Sequence, residues 1–483
     1  MEIQSTASRD GEESSVDFLC CTIIEKTPVA LCKEIKPNPF RRLTAVLRME
    51  RKSSASRGER DDPRNWSKRK KNSVIFIIAI AAMLTPLSTT ILIPALLEVC
   101  NDLHATEIHA NGLIAVFILF SGIAPLGWAS YSDAKAQRRK AYLASLVLFQ
   151  IVTIICGFTN NIYILIVMRA LQACGSSAAQ SVGAGCISDI FDRDKRGRAY
   201  GIFYVGPLMG PLIGPIIGGY LTQYLGWRWI FWFLAVFGGF IFLIVSLALP
   251  ETSRGKPSQS HFNPLAPLAL LSHSSVSLSL LYIASLYSII YVQNTLMSRN
   301  FVGLYHIKSS EVGLAFLSPS IGFVIGSVAG GKYSDIMFKR AKERNSGVGY
   351  PEMQLNIGTL VAMAVFQISY VNYGWMIARG IRIVFPLITM FLGGLGYAIV
   401  FNSISTCLIN AFQDRSASII AVNNFVRALA AGGMSLAAAP LQDVLVAGWL
   451  YTIMVGFNIL GSGCLVLSCV IERKRRKNRN LEI

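Results

Sequence analysis

Long apolar segments that follow one another along the chain constrain its fold more than any other feature. From Val74 onward, they alternate with short charged or Gly/Pro-rich breaks. About 20 mostly apolar residues in a helix are enough to cross a bilayer, and helices satisfy their own backbone polar groups there. Twelve spans, numbered here in chain order, are predicted at 74–98, 111–131, 141–159, 162–190, 199–223, 227–249, 276–297, 312–333, 355–373, 383–408, 418–441 and 447–470. The sequence therefore predicts an all-α integral membrane protein.

The polar break at 250–275 divides the spans into two sets of six. We therefore predict one helical bundle at 74–249, a cytoplasmic linker, and a second bundle at 276–471. Residues 1–73 form a polar tail, predicted to be disordered and to end in a basic cluster beside the membrane, and 472–483 form a basic tail. Tyr-Ser-Asp closes span 2 and again span 8, six spans later, which favours a duplicated six-helix unit.

The distribution of Lys and Arg predicts the orientation of the chain in the membrane. Most basic residues fall on one side of the spans, including the clusters at 68–71 and 138–140, and few fall on the other, such as Arg228 and Arg379. Basic loops mark the cytoplasmic side, so both termini are predicted to be cytoplasmic. The net charge of +18 is thus a signal of topology and of a lipid partner, and no nucleic-acid partner is expected.

Two arginines stand apart from this pattern. Among 45 Lys and Arg, only Arg169 and Arg427 lie deep inside predicted spans, where a charge is costly and usually functional. Arg169 is either a cation that faces the substrate or the proton pathway, or a buried arginine bonded to carbonyls or to a neighbouring helix. Arg427 shares a helix face with Asn423 and Asn424, and either contacts a carboxylate-bearing substrate or latches two helices together.

The acidic residues give proton coupling little support, because none lies in the middle of a predicted span. Glu98 and Asp189, near span ends, are the best candidates for a titrating group in the pathway. Two membrane arginines without a matching carboxylate favour substrates that bear an acid group. Further substrate candidates, each open to a simple packing role, are Tyr287, Tyr291, Asn294 and Asn402.

Span 5 contains a repeated glycine–proline pattern. Four-residue spacing places the glycines on one helix face, where two backbones can approach closely, and the prolines free carbonyl groups. The pattern predicts a bent helix at a close, moving contact. It comprises Gly206, Pro207, Gly210, Pro211, Gly214, Pro215, Gly218 and Gly219.

These residues resemble the major facilitator superfamily and, within it, the fungal drug:H+ antiporters with twelve spans. Span 5 resembles the antiporter motif, and Arg169 to Gln172 with Gly175 resembles the motif of helix four. The Tyr-Ser-Asp segment through Arg139 resembles the loop motif between helices two and three. Leu249-Pro250-Glu251-Thr252 resembles the cytoplasmic end of helix six in that family.

The resemblance implies two six-helix bundles that rock about a central cavity, proton antiport, and export of a drug, secondary metabolite or organic acid. Within that family, the sequence is similar to the dityrosine, quinidine-resistance and citrate exporter branches. It also implies that Gln172 belongs to the coupling region and that Asp133, Arg138 and Asp335 form gating motifs. The loop departs from the family's pattern at Ala129, Ala136 and Gln137, which puts the strength of that gate in question.

Other classes of protein are disfavoured. The spans contain no nucleophile–base pair and no His/Asp cluster, and the ten cysteines lack ligand spacing, so no enzyme, cofactor, metal site or disulfide is expected. An uncoupled facilitator of an organic anion and a non-transporting receptor on the same scaffold remain as alternatives. The resemblance favours a monomer in the plasma membrane, with vacuolar or vesicle membranes also open.

Overall fold

Each of the twelve predicted spans is helical over most of its described residues. The computed structural model describes residues 62–135, 137–191, 193–253, 265–344, 357–411 and 416–479, and these ranges contain no strand. Eleven segments in them are long and apolar enough to cross a bilayer. The last, Ser418–Val466, has 49 residues, and its backbone leaves the helical region at Val446 (φ 58°, ψ 151°). One crossing needs about 20 residues, so this segment holds spans 11 and 12.

The helices extend beyond the predicted apolar cores at most ends. In chain order they are Lys68–Thr90 with Leu96–Asp102, Glu107–Lys135, Arg138–Phe158, Ile162–Ile190, Arg193–Leu225, Arg228–Ala248, Ser274–Tyr305, Ser309–Ala315 with Leu317–Arg344, Ile357–Ala378, Val384–Ala411 and Ser416–Arg479. Short 3-10 turns lie at Pro63–Asn65, Ile93–Ala95 and Ala266–Ser272.

Local signals explain where several helices begin and turn. Ser67 caps the first helix, so the basic cluster at 68–71 is helical and the helix begins before the predicted apolar span at Val74. Asn161 caps span 4 by accepting bonds from the amides of Tyr163 and Ile164. Gly226, with φ +92°, turns the chain between spans 5 and 6. An apolar run in the sequence shows which part of a helix lies in the lipid, whereas the capping residues show where the helix begins and ends.

Some predicted segments fall outside the described residues. These are residues 1–61 of the predicted N-terminal tail, 254–264 of the predicted linker, 355–356 at the start of predicted span 9 and the last four residues, 480–483. The rest of the predicted basic C-terminal tail, through Arg479, continues the helix of span 12. The division into an N-terminal and a C-terminal bundle at 250–275 stays a prediction in its exact boundaries.

Buried apolar side chains form two clusters that follow the halves of the chain. One runs from Val74 to Leu249 and belongs to spans 1–6. The other belongs mainly to spans 7–12, but it also takes six residues of the first half, all between Ile93 and Ile118. The halves therefore share apolar packing where span 1 ends and span 2 begins.

The glycines of span 5 bring its backbone against span 1. A Cβ at Gly206 would overlap the carbonyl of Ala79, and one at Gly218 would overlap the carbonyl of Ile91. Gly210 and Gly214 meet the same helix one and two turns further along. The close approach predicted from the four-residue spacing is therefore present, and its partner is a helix of the same half.

One residue further on, span 5 meets the second half. A Cβ at Gly219 would lie 2.5 Å from the carbonyl oxygen of Ser309, and Gly313 packs against the carbonyl of Pro215. Midway along the helix, the Ser320 hydroxyl of span 8 donates to the carbonyl of Pro211 at 3.2 Å. Span 5 thus touches span 1 on one face and span 8 on another.

Candidate functional site

Arg427, on span 11, lies among aromatic side chains of two other spans. Its guanidinium carbon is 4.3 Å from the ring centroid of Tyr287 on span 7 and 4.9 Å from that of Phe401 on span 10. Its Nη2 donates to Asn424 Oδ1 at 3.0 Å, whereas its Nε has no hydrogen-bond partner among the described residues. The half-buried charge is therefore stabilised by π faces and one amide.

More aromatic groups extend this site. The hydroxyls of Tyr287 and Tyr291 are 3.2 Å apart, and Tyr397 of span 10 stacks on Phe401 with centroids 5.6 Å apart. The Tyr397 hydroxyl lies within hydrogen-bonding reach of Arg427. We call this set the Arg427 cluster and define it as Tyr287, Tyr291, Tyr397, Phe401, Asn424 and Arg427.

The first half contributes a residue opposite this cluster. Tyr204 of span 5 is 41% exposed and lies close enough to Arg427 for the two groups to interact electrostatically. Its ring stacks on that of Tyr200, with centroids 6.3 Å apart. A partly exposed tyrosine of one half near a half-buried arginine of the other is an arrangement suited to a cavity between the halves.

The remaining amide candidates are placed differently. Asn402 donates to the carbonyl oxygen and the hydroxyl of Ser327, at 3.2 and 3.1 Å, and so ties span 10 to span 8. Asn423 is buried, and its Oδ1 has no partner among the described residues. Asn294 is half-buried on span 7, three residues beyond Tyr291. Asn424, rather than Asn423, is the amide that holds Arg427.

Arg169 is packed inside the first half and is 0% exposed. Its Nη1 donates to Gln172 Oε1 at 2.7 Å, and its Nη2 donates to the Ser88 carbonyl at 3.1 Å. Gln172 in turn donates to Thr153 at 2.8 Å, and the guanidinium lies 4.1 Å from the ring centroid of Phe117. These contacts join spans 1 to 4, so the two membrane arginines have different surroundings.

Glu98 joins the halves at the end of span 1. Its Oε1 accepts a hydrogen bond from the Ser309 hydroxyl at 3.0 Å, and Ser309 begins the helices of span 8. Beside this contact, the backbone N–H of Ser310 donates to Gln223 Oε1 of span 5 at 3.4 Å. A carboxylate thus takes part directly in a contact between the two halves.

Arg299 forms a second contact at the same end. Its guanidinium pairs with Glu107 at the start of span 2 at 3.3 Å, and with Asp443 of span 11 at 2.5 Å. Arg299 and Glu107 also line a small pocket, together with Cys100 and Thr295. This ion-pair network and the Glu98–Ser309 bond together make up the contact that we call the outer contact, after the side of the membrane that the basic residues predict for it.

The opposite end of the first half holds a separate charged network. Arg138 pairs with Asp189 at 3.1 Å and donates to the Ser132 hydroxyl at 2.8 Å. The Glu251 carboxylate accepts from the backbone N–H groups of Arg138 and Arg139, at 2.9 and 3.2 Å, and so caps span 3. Asp189 is therefore engaged in an ion pair within its own half.

The two gating aspartates are only partly described. The backbones of Asp133 and Asp335 are helical at the ends of spans 2 and 8, but their side chains lie outside what the structure describes. The Arg138 part of the predicted motif is described, and it makes the contacts with Asp189, Ser132 and Glu251 given above.

A sequence profile of the Major Facilitator Superfamily matches residues 78–435, about three quarters of the chain. The chain belongs to the Major Facilitator Superfamily. It is thus an integral multi-pass membrane transporter and not an enzyme, as the sequence predicted.

Fungal members of the superfamily are similar along most of their length. The chain is 24% identical over 546 residues to "MFS antiporter QDR3" of Candida albicans, with 84% of this chain and 78% of that protein covered. It is 27% identical over 446 residues to "Citrate exporter 1" of Aspergillus niger, with 82% and 84% covered. A solved bacterial homologue of the human lysosomal transporter Spinster matches with a TM-score of 0.62 at 15% identity, covering 84% of this chain and 96% of that one.

Sequence reasoning missed several residues of this superfamily member that the fold brings into the site. Tyr397 and Tyr204 lie beside Arg427, and Arg299 and Ser309 form the outer contact, although none of them was a candidate. Tyr397 gave no local signal, because it lies five residues before Asn402 and therefore on a different face of span 10. The partners of Arg299 come from spans 2 and 11, and no local pattern indicates them.

Proposed function

We propose that this transporter exports small organic compounds by alternating access, with proton antiport across a fungal plasma membrane. Both termini are cytoplasmic in this proposal, as the basic residues indicate, and the protein works as a monomer. The end that carries Glu98, Glu107 and Arg299 then faces outward. Similarity to proteins named as an antiporter and as a citrate exporter supports an export role.

The outer contact is the observation that carries this proposal. At the outward end, the halves are joined by the Glu98–Ser309 hydrogen bond and the Arg299–Glu107 ion pair. Single hydrogen bonds and exposed ion pairs are each worth only about 1 kcal/mol, so such a contact can open and close during transport. The Arg427 cluster lies deeper, where a substrate entering from the cytoplasm would meet it.

Glu98 is the carboxylate that we place in the coupling step. It lies near the membrane end of span 1, is half-buried, and accepts a bond from the opposite half. Protonation removes the negative charge that makes this acceptor strong and so weakens the contact between halves. A proton arriving from outside would thus favour opening of the outer end.

Proteoliposomes with an imposed pH gradient test this proposal. Wild-type protein is expected to concentrate at least one member of a panel of drugs and organic acids into vesicles with an acidic lumen, and a protonophore should abolish this. Glu98→Gln should lose the effect of the gradient while keeping downhill exchange. Glu311→Gln is the matched control, because Glu311 caps the short helix that begins at Ser309, and its described bond, at 3.0 Å, is to the Lys308 backbone N–H and not to the first half. Transport by wild type that ignores the gradient would contradict proton antiport.

An uncoupled facilitator of an organic anion is the second candidate. It is favoured by the absence of Asp and Glu from the central parts of the predicted spans, which leaves the cavity cationic. A membrane potential of 100 mV, negative inside, favours exit of a monovalent anion by about 2.3 kcal/mol without any proton. Efflux driven by a potassium diffusion potential, with no response to the pH gradient, would support this candidate.

A further inference from the structure

The charge of Arg427 has no carboxylate counter-ion among the residues that surround it. Spans 5, 7 and 10, which supply its aromatic neighbours, contain no Asp or Glu at 199–225, 274–305 or 384–411. On its own helix, Asp443 is about 24 Å away along the axis, given a rise of about 1.5 Å per residue. Within the described residues, the recorded polar partners of Arg427 are an amide and a phenol.

The neighbouring helix on the other side does not supply one either. A Cβ at Gly122 of span 2 would overlap Ala428, which fixes the level at which span 2 passes Arg427. The acidic residue of span 2 beyond that point is Asp133, about 16 Å further along the helix axis. A salt bridge needs about 4 Å between its charged atoms, and the backbones of both aspartates lie well beyond that range from the level of Arg427.

Comparison with Arg169 separates a structural arginine from one available to a ligand. Arg169 is fully buried, and two of its nitrogens donate to oxygens of the protein. Arg427 is half-buried, lies near enough to Tyr204 of the other half for an electrostatic interaction, and has two polar partners within the described residues, Asn424 and the Tyr397 hydroxyl. A guanidinium has five N–H donors in a planar fork that matches a carboxylate, so Arg427 keeps most of its binding capacity unused.

We propose that the Arg427 cluster binds the carboxylate of an organic acid whose body is planar or apolar. The guanidinium receives the carboxylate, and the rings of Tyr287, Tyr291 and Phe401 receive the body, with Tyr204 closing the site from the other half. This deepens the proposed function by naming its substrate class and rests on it for the transport step. A cationic drug would be repelled at this point, and a neutral one would leave the buried charge unpaired.

Paired probes that differ only in charge test the site. Purified protein in detergent is titrated with cinnamate and with cinnamamide, and with octanoate and octanamide, and binding is followed by thermal stabilisation. Hydrogen bonds to charged groups are stronger than neutral ones, so each acid should bind wild type at least about tenfold more tightly than its amide. Binding of both members alike, or of no probe at all, would overturn the proposal.

Two variants and a control test whether the preference for the acid over its amide arises at Arg427. Arg427→Gln should bring the preference for the acid to within about twofold, since the charge–carboxylate bond is gone. Asn424→Asp keeps Arg427 but supplies an internal carboxylate 3.0 Å from it, so it should stabilise the unliganded protein and lose the same preference. Arg379→Gln removes an exposed arginine that also lies over a ring, Trp375, and should change nothing. Retention of the preference in both Arg427→Gln and Asn424→Asp would overturn the site.

Transport by the same proteins separates this proposal from the proposed function. If gradient-driven transport of neutral compounds persists while no acid preference exists, the exporter stands and the site is wrong. If acid binding depends on Arg427 but wild type moves no compound, the site stands and the exporter is wrong.

Discussion

The hydroxyl of Ser320 donates a hydrogen bond to the carbonyl oxygen of Pro211 at 3.2 Å. In a helix, that carbonyl normally accepts from the residue four positions later, which here is Pro215 and has no N–H. Span 8 of the second half thus supplies the donor that a proline removes from span 5 of the first half. Because lipid offers no replacement donor, the bond couples the local chemistry of span 5 to the contact between halves.

Ser320→Ala tests that coupling. It should leave the Pro211 carbonyl without this donor and destabilise the observed conformation by about 0.6–1.7 kcal/mol, the range found for hydrogen bonds between membrane helices. Thermal unfolding of the purified protein measures the change. Ser462→Ala is the control, because that hydroxyl is exposed and bonds only within its own helix. Equal stability of Ser320→Ala and wild type would contradict a role for this bond.

Arg299→Gln should loosen the outer contact, because it removes the ion pairs to Glu107 and Asp443. All three side chains are partly exposed, so the expected cost is at most about 1 kcal/mol, or up to roughly fivefold more outward opening. The native Cys100, which is buried and lines the adjacent pocket, reports this opening through its labelling by a membrane-impermeant maleimide applied outside.

The Cys100→Ser substitution tests whether Cys100 is the residue that the maleimide labels. It should abolish the increase seen in the Arg299→Gln background if Cys100 is the labelled residue. High salt should raise Cys100 labelling of wild type, because salt screens exposed ion pairs, and should have less effect on Arg299→Gln. Unchanged labelling in Arg299→Gln would exclude the ion pairs from closure of the outer end.

Arg169→Lys should lower stability without altering which compounds bind. Lysine keeps the charge but cannot reach both Gln172 and the Ser88 carbonyl with a planar fork, so buried acceptors lose their donors at a cost of about 1–3 kcal/mol. Thr153→Val, which removes the acceptor of Gln172, should destabilise in the same direction. A variant of normal stability with altered probe selectivity would show that Arg169 faces substrate.

Gly206→Ala should destabilise the contact between spans 1 and 5, because the added methyl group overlaps the Ala79 carbonyl. Overpacking of this kind costs about 1–3 kcal/mol. Gly201→Ala is the matched control, since Gly201 lies on the same helix and an added Cβ has no neighbour within 4 Å. The control should be neutral, or stabilising by up to about 1 kcal/mol, because alanine favours helix more than glycine does. Thermal unfolding of both variants decides between these expectations, and equal losses would show that the contact tolerates a side chain.

The sequence by itself determined the fold class, because the length of each apolar run is a local property and decides whether a helix can cross a bilayer. It also determined which charges are unusual: Arg169 and Arg427 stand out by position alone. Four-residue glycine spacing likewise indicated a close helix contact in span 5. Each of these inferences depends on residues that are neighbours along one helix.

Only the tertiary structure decided which of the two membrane arginines is available to a ligand and which residues surround it. Arg169 and Arg427 have equivalent sequence signals, yet one is enclosed by spans 1 to 4 and the other lies against Tyr287 and Phe401 from distant parts of the chain. Likewise, no pattern around Glu98 indicates Ser309, more than 200 residues away. Contacts between helices depend on how each helix is rotated and paired, and the apolar pattern, nearly uniform around a membrane helix, leaves that rotation open.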